Sequence, residues 1–449
     1  MSAPTPKPLS GWGRWPVRSC HAADLDPKTA LGLAGTGTGL TRGMGRSYGD
    51  VALNPNLTLA GTARDRLLSF DGTTGDLVAE AGVTLATLLE LFVPRGWFPP
   101  ITPGTKFVTL GGLVAADAHG KNHHGQGSFG DHVSWFDLLC ADGEVRRCSP
   151  QSNPDLFRAT IGGVGLTGHI LVVALRLMPI ETAWIAQETR PAANLDAALE
   201  IFEASHGATY SVAWIDCLAT GAAQGRSLVM LGEHATEADL KTSDQRRKPL
   251  ALPPRRTKRM PVDAPSWALN TLSIRAFNAL YYRAGVRAEA QSLVDYDSYF
   301  YPLDAIRDWN RLYGRRGFAQ YQCALPLDTS RDGLSALLSA IAAAGKGSFL
   351  AVLKRFGAGA PDRPLSFPME GYTLALDFAV SPSTLTLLDQ LDEITLAHGG
   401  RLYLAKDSRM TQATFEAGYG AGLDDFRALR RHTGADRAFS SLLSQRLAL

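Results

Sequence analysis

A chain of 449 residues is too long for one compact core and long enough for two domains of ordinary size. With 45% hydrophobic and 20% charged residues it is a globular sequence, and a formal net charge of +2 gives no electrostatic reason to expect nucleic acid as a partner. Five cysteines (Cys20, Cys140, Cys148, Cys217, Cys323), odd in number and without close pairing motifs, argue against a disulfide framework and for a reducing compartment.

The N-terminal stretch Met1 to Trp15 is proline-rich and has no apolar signal core. No apolar run approaches the roughly 20 residues that span a bilayer, so the expectation is a soluble or peripheral protein, cytoplasmic in preference to periplasmic. Gly35 to Asp50 is glycine-rich. Successive backbone N–H groups in such a loop can point into one concavity and bind phosphate oxygens, with Arg42 and Arg46 adding charge. It is not a P-loop, which ends in Gly-Lys-Ser/Thr. Nor is it a Rossmann fingerprint: Gly37 and Gly39 lack the third glycine, and Tyr48 takes that place after Gly43 and Gly45. The pattern predicts a diphosphate cradle of another kind, set against the plainer reading of a glycine turn that only reverses the chain.

Leu77 to Ala81 reads as a strand, and Thr84 to Phe92 as a helix with Leu85, Leu88, Leu89 and Phe92 on one face and Thr84 as N-cap. A second glycine cluster follows, Pro103-Gly104-Thr105 and then Thr109 to His124. Gly111 and Gly112 open a small-residue helix able to lie close to a flat ligand, and its N-terminus attracts phosphate. His119, His123, His124 and His132 invite a metal reading, but no cysteine or carboxylate joins them at tetrahedral spacing, so no metal is expected. His119 and Lys121 read as cofactor-lining. No Gly-x-Ser-x-Gly elbow supports a serine hydrolase. A third cluster, Ile161 to Gly168, places bare backbone before the strand His169 to Leu175. Three such clusters predict a large cofactor contacted mostly by main chain.

Beyond Pro179 the character changes. Helical patterns at Leu195 to Ala204 and Leu334 to Ala344 alternate with strand-like Ser211 to Ile215 and Tyr321 to Leu325, giving a second domain and an α+β class overall. Lys241 to Met260 carries Lys241, Arg246, Arg247, Lys248, Arg255, Arg256, Lys258 and Arg259, followed by Trp267, Leu269, Leu272, Ile274, Phe277, Leu280, Tyr281 and Tyr282. Two readings stay open: docking on anionic lipid, or a solvated loop followed by an ordinary core helix. Leu402 to Leu449 has a strand-like start and two amphipathic helical patterns.

Taken together, Gly43 to Asp50, Pro103 to Thr105, Thr109 to Gly112, Asp117 to His124 and Gly163 to Gly168 closely resemble the vanillyl-alcohol-oxidase-type (PCMH-type) FAD oxidoreductases. The likeness continues through Trp309-Asn310, Gly317 to Gln322, Leu353 to Gly357, Leu365 to Pro368 and Arg401 to Arg409. It implies a two-lobed FAD domain from both chain ends (1–183 and 402–449) and an inserted substrate domain on an antiparallel sheet (184–401, with the basic insertion near 241–283). Within the family the motifs are most similar to the branch that oxidises the 2′-hydroxyl of a polyprenyl-phosphoryl ribose to the 2′-keto sugar. That is the first half of an epimerisation to the arabinose form used in cell-wall polysaccharides, completed by an NAD(P)-dependent keto-sugar reductase. Peripheral contact with an anionic membrane fits such a lipid-linked sugar phosphate. Two alternatives are an FAD-dependent oxidase of a free sugar, alditol or aldonolactone, and a non-catalytic flavin- or phosphate-binding scaffold.

The resemblance also assigns residues. Arg42, Gly43, Met44, Gly45, Arg46, Ser47, Tyr48, Gly49 and Asp50 become the cradle. Gly104, Thr105, Thr109, Gly111, Gly112, Ala116, His119, Gly120, Asn122 and Gly168 lie along the FAD, and Tyr403 lies beside the flavin. Lys121, Gln320, Gln322, Lys354, Phe300 and Ala375 surround the sugar pocket, with Lys406 and Tyr48 as the catalytic pair, either of which can be the base. Ala375 stands where mycobacterial members have a cysteine, Thr373 replaces an asparagine and Phe300 a tyrosine, which leaves the sugar and lipid open. Relatives that bond FAD covalently place a histidine where Arg46 sits, so non-covalent FAD is expected.

Overall fold

The computed structural model describes residues 5–25, 39–253, 257–265, 269–420 and 422–449. Gly35, Gly37, Arg255, Arg256 and Trp267, singled out above, lie outside them. The α+β expectation holds: two smaller sheets and one large antiparallel sheet carry helices on their faces. The chain opens with the hairpin Thr5–Ser10 and Val17–Asp24. Thr58–Ala60 runs parallel to the second of these strands, and Leu40–Arg42 runs parallel to Thr58–Ala60. The cradle residues leave directly from Leu40–Arg42, so the glycine loop is anchored at its entry by a sheet.

The second sheet is antiparallel and five-stranded, in the order Leu67–Phe70, Asp76–Glu80, His169–Arg176, Val133–Leu139, Val145–Cys148. Helix Leu85–Phe92 covers it with Leu85, Leu88, Leu89 and Phe92 buried, and the Thr84 hydroxyl accepts from the Thr87 N–H at 3.1 Å. Leu110–Ala115 is the short small-residue helix, capped at Thr109.

The large sheet has eight strands in the order Gln291–Asp295, Trp184–Ala192, Ser227–His234, Tyr210–Ile215, Ala351–Phe356, Gly371–Ala379, Phe318–Pro326, Arg401–Leu402. Strand period 2 splits its residues cleanly. Cys323, Leu325, Leu353, Leu374 and Leu376 pack with the helices Leu195–Ala204, Leu327–Ala343 and Pro382–Ala397 into the main core. Gln320, Gln322, Val352, Lys354, Ala375 and Asp377 face the other way, into a cavity. The helix expected at Leu334 begins at Leu327, because its first turns (Asp328, Arg331, Asp332) are solvated and show no apolar period. All five cysteines are buried and unpaired.

In the basic insertion, Ser243–Arg247 forms one turn of helix, and Thr271–Arg287 forms a long helix that buries only Ile274 and Asn278. It is not an ordinary core helix. Among the described residues no helix is long and apolar enough to cross a membrane.

The C-terminal helices Gln412–Tyr419, Leu423–Thr433, Ala435–Ala438 and Leu442–Arg446 return to the start of the chain. Phe439 bridges Gly39, and the Leu442 N–H donates to the Leu53 carbonyl at 2.9 Å. Arg430, 2% exposed, donates to the carbonyls of Leu166 (3.0 Å), Ala435 (3.2 Å) and Phe439 (2.6 Å). Replacing it with methionine keeps the volume but leaves three buried acceptors without that donor. Arg430→Met is expected to lower the unfolding free energy by about 3 kcal/mol, read from the urea midpoint.

Candidate active site

The three glycine clusters and the polar face of the large sheet enclose one cavity of about 1100 Å³. Pockets for a single small ligand run about 300–1,000 Å³, so this one has room for a dinucleotide and part of a second molecule. Its wall contains Gly43, Met44, Gly45, Arg46, Ser47 and Tyr48 from the cradle. Gly104, Thr105, Thr109, Gly111, Gly112, Ala116, His119, Gly120 and Lys121 come from the second cluster, and Gly168 from the third. Phe300, Gln320, Gln322, Lys354, Ala375, Tyr403 and Lys406 complete it.

Four residues assigned to the cofactor stand outside this wall. Arg42 is tucked beneath the cradle, donating to the Ser10 carbonyl at 2.7 Å. Gly49, at φ +60, lets the chain pass so close to the 405–408 loop that an added Cβ would sit 2.0 Å from the Asp407 carbonyl oxygen. Asp50 pairs with Arg446 at 2.8 Å, and Asn122 donates to the Pro100 carbonyl at 2.8 Å. In this geometry these four hold the walls in place.

The cradle itself is bare backbone held tightly. A Cβ on Gly43 would lie 2.4 Å from Thr109 Oγ1, and Gly45 needs its φ of +63. The Tyr48 N–H donates to the Ala405 carbonyl at 2.9 Å, and the Arg46 guanidinium lies 3.9 Å from the Trp12 ring centroid. Thr105 Oγ1 and the Lys106 N–H both donate to Asp304, at 2.8 and 2.9 Å, fixing the loop after Gly104. Two wall residues carry a buried polar atom without a protein partner, Thr102 Oγ1 and His119 Nδ1, while the Tyr299 hydroxyl, also unmet, lies against Gly232. Such groups are costly unless a ligand meets them. Bare main chain for a diphosphate and buried unmet polar groups for the rest of the molecule fit a dinucleotide.

His119 stands among Phe356, Phe367 and Tyr403, with ring centroids 4.8, 5.7 and 5.2 Å away. Gln322 Nε2 lies 3.0 Å from His119 Nε2 and 3.2 Å from Thr373 Oγ1. Burial, with nearby Lys354, holds the imidazole well below its ordinary value, so it is neutral. Accepting from the Gln322 amide at Nε2 leaves the proton on Nδ1, the unmet atom. The Tyr403 hydroxyl donates to the Ala116 carbonyl at 2.8 Å, and its ring stacks on Phe367.

The sheet face supplies the charge. Burial lowers Lys121 to about 7, helped by Lys354, and lowers Lys354 to about 8, helped by Lys406. Lys121 Nζ donates to the Tyr299 carbonyl and lies 4.0 Å from that ring's centroid. Lys406 Nζ lies 4.2 Å from the Tyr48 ring centroid. Burial depresses its pKa, against the opposing pull of Asp377. Asp377, 2% exposed, is raised by burial, while a 2.5 Å hydrogen bond from Gln320 Nε2 and the Lys406 charge counter that rise. Burial also pushes the Tyr48 phenol well above 10.

Sequence reasoning missed Asp377, Trp12 and Trp214, all on the cavity wall. Asp377 was visible as the one acid in the apolar strand Gly371–Ala379, and it pairs across the sheet with Gln320. Two of the four histidines pair with carbonyls, His124 Nε2 with that of Ala208 and His132 Nε2 with that of Gln126, and His123 Nδ1 is buried without a partner.

The family profile described as FAD binding domain matches residues 34–149. The chain is 37% identical, over 99% of its length and 98% of the relative's, to decaprenylphosphoryl-β-D-ribose oxidase of Mycolicibacterium smegmatis. It is 38% identical to an uncharacterized protein of Streptomyces coelicolor, over 82% of this chain and all of that one. Cytokinin dehydrogenase 4 of Arabidopsis thaliana is 28% identical over 37% of this chain and 32% of its own. A methyl at position 43 would push the cradle off Thr109. Gly43→Ala is therefore expected to weaken FAD binding at least about tenfold, about 1.4 kcal/mol. Flavin fluorescence titration measures the loss, with circular dichroism showing the fold retained.

Proposed function

The chain belongs to the FAD-dependent decaprenylphosphoryl-β-D-ribose oxidase family, and from that premise we propose that it oxidises the 2′-hydroxyl of a polyprenyl-phosphoryl ribose to the 2′-keto sugar. The bound FAD supplies the two-electron acceptor for the hydride. Residues 43–49, Thr109 to Gly112 and Gly168 would hold the dinucleotide by main chain, with His119 and Tyr403 flanking the ring. Arg46 cannot form the bond that a histidine makes in covalent flavoproteins, so the FAD is dissociable.

One observation carries the reading: a depressed lysine, Lys406, sits inside the cavity over Tyr48, with Asp377 as counter-charge. Hydride departure from C2′ requires the proton on O2′ to leave. Tyr48 stays protonated because burial raises it, so it can orient the hydroxyl but not deprotonate it at neutral pH. Lys406 Nζ, depressed, is the group able to take the proton. Gln320 and Gln322 offer amides to the remaining sugar hydroxyls. A phosphate anion seated near Lys121 and Lys354 would restore the charge that burial disfavours.

A free polyol is the second reading, and the wall argues against it. Trp214, Phe277 and Tyr281 line the cavity and match an apolar chain better than a small sugar. The keto product needs a hydride from elsewhere to complete epimerisation, and an NAD(P)-dependent reductase, as the family resemblance implies, is proposed as the next enzyme.

Anaerobic mixing with polyprenyl-phosphoryl ribose is expected to bleach the oxidised-flavin absorbance. Bleaching by a free alditol and not by the lipid-linked sugar would overturn the substrate. Lys406→Ala is expected to keep FAD and slow flavin reduction by about 10²-fold or more. In the wild type the reduction rate should rise with pH, as Lys406 loses its proton, through a midpoint below the ordinary lysine value of 10.5. Asp377→Asn removes the charge that holds that midpoint up, so the midpoint should move lower. An unshifted midpoint would mean another group titrates.

A further inference from the structure

Helix Thr271–Arg287 turns the usual amphipathic logic outward. Seventeen residues bury only Ile274 and Asn278. Leu272 is 78% exposed, Leu280 66% and Val286 49%. At 3.6 residues per turn, Leu272, Ala276 and Leu280 follow one another at i, i+4 and i+8 on one stripe, opposite the two buried residues. Arg283 and Arg287 fall on the same side, and Arg275 at its margin. The helix contains no acidic residue.

The apolar surface does not stop at the helix. Phe277 and Tyr281, both more than 40% exposed, stack on each other with centroids 5.7 Å apart and also line the cavity. Tyr281 lies against Trp214 and Phe277 against Phe349, two more cavity residues. One apolar track therefore runs from the outer stripe of the helix into the chamber that holds Lys354 and Lys406.

We propose that this helix is the face by which the protein lies on an anionic bilayer, with Leu272 and Leu280 in the acyl boundary, Arg275, Arg283 and Arg287 at lipid phosphates, and the cavity mouth opened to the membrane surface. A basic helix whose leucines face outward is the composition that binds an interface without spanning it. Exposed apolar side chains with interleaved arginines suit a bilayer better than a second copy of the chain, whose identical stripe would bring three arginines against three. The inference rests on the lipid-linked reading for its purpose, since a substrate with a polyprenyl tail resides in that bilayer, but not for its geometry.

The test uses the holoenzyme and vesicles without substrate. It should co-sediment with phosphatidylcholine vesicles containing phosphatidylglycerol, more weakly with phosphatidylcholine alone, and less at high salt. Leu272→Gln/Leu280→Gln, which touches neither the core nor the cavity wall, should lower the partition coefficient at least about tenfold. It should leave flavin reduction by detergent-dispersed substrate unchanged. No partition of the wild type, or a double variant that binds like it, would overturn the proposal. So would a wild-type dimer in light scattering that the double variant abolishes without any vesicle binding. If detergent-dispersed substrate reduces neither protein, the substrate reading fails while the sedimentation result still decides the docking face.

Discussion

One short contact fixes the relation between the two ends of the chain. The Tyr48 N–H reaches the Ala405 carbonyl, Gly49 leaves no room for a side chain beside Asp407, and Arg446 binds Asp50 and Asp407 together at 2.8 Å each. The cradle and the loop bearing Lys406 are thus tied together, though nearly 360 residues of chain lie between them. In the proposed mechanism, a hydride acceptor held by the first and a proton acceptor carried by the second work only at fixed separation. Catalysis falls off steeply when reacting groups drift by about 1 Å. The half-buried Arg446, the left-handed glycine and the main-chain bond all bear on that single distance.

The floor of the chamber works by a different constraint. Period-2 alternation on Phe318–Pro326, Ala351–Phe356 and Gly371–Ala379 sends leucines to the core and Gln320, Gln322, Lys354 and Asp377 to the cavity. The sheet holds these groups without flexible loops, which is how a polar constellation keeps its geometry. Gathering lysines in a dry site is costly. Folding lowers Lys121 and Lys354 below the value they have in the unfolded chain, so the unfolded state binds protons that the folded state does not, and stability rises with pH across that interval. An anionic ligand offsets the same penalty at neutral pH.

Much of this was legible in the sequence, and the boundary is physical. The helix at Leu85 and its Thr84 cap, the strands around Leu77 and His169, and the helix at Leu195 depend on local periodicity and capping, which a linear reading captures. The cradle was legible because glycine, arginine and tyrosine at that spacing form a motif. The supporting contacts were not: Arg42, Gly49 and Asp50 in the cradle and Asn122 in the second cluster touch Ser10, Asp407, Arg446 and Pro100, partners chosen by tertiary contact. Asp377 escaped because its meaning comes from Gln320 across the sheet and Lys406 above it, neither of them near in sequence. The helix at Thr271 was ambiguous for the complementary reason. Composition shows that a segment is apolar, and only packing shows which way the apolar side points.

The closure of the cradle by residues 405–446 also sets an order in time. A nascent chain emerging from the ribosome can form the hairpin at Thr5 and the five-stranded sheet early, since their partners are all within the first 176 residues. The grip on the dinucleotide has to wait for the last strand and the terminal helices. The cradle is therefore complete only once the C-terminal segment has been made. A dinucleotide that binds only the completed fold would stabilise the full-length protein by mass action.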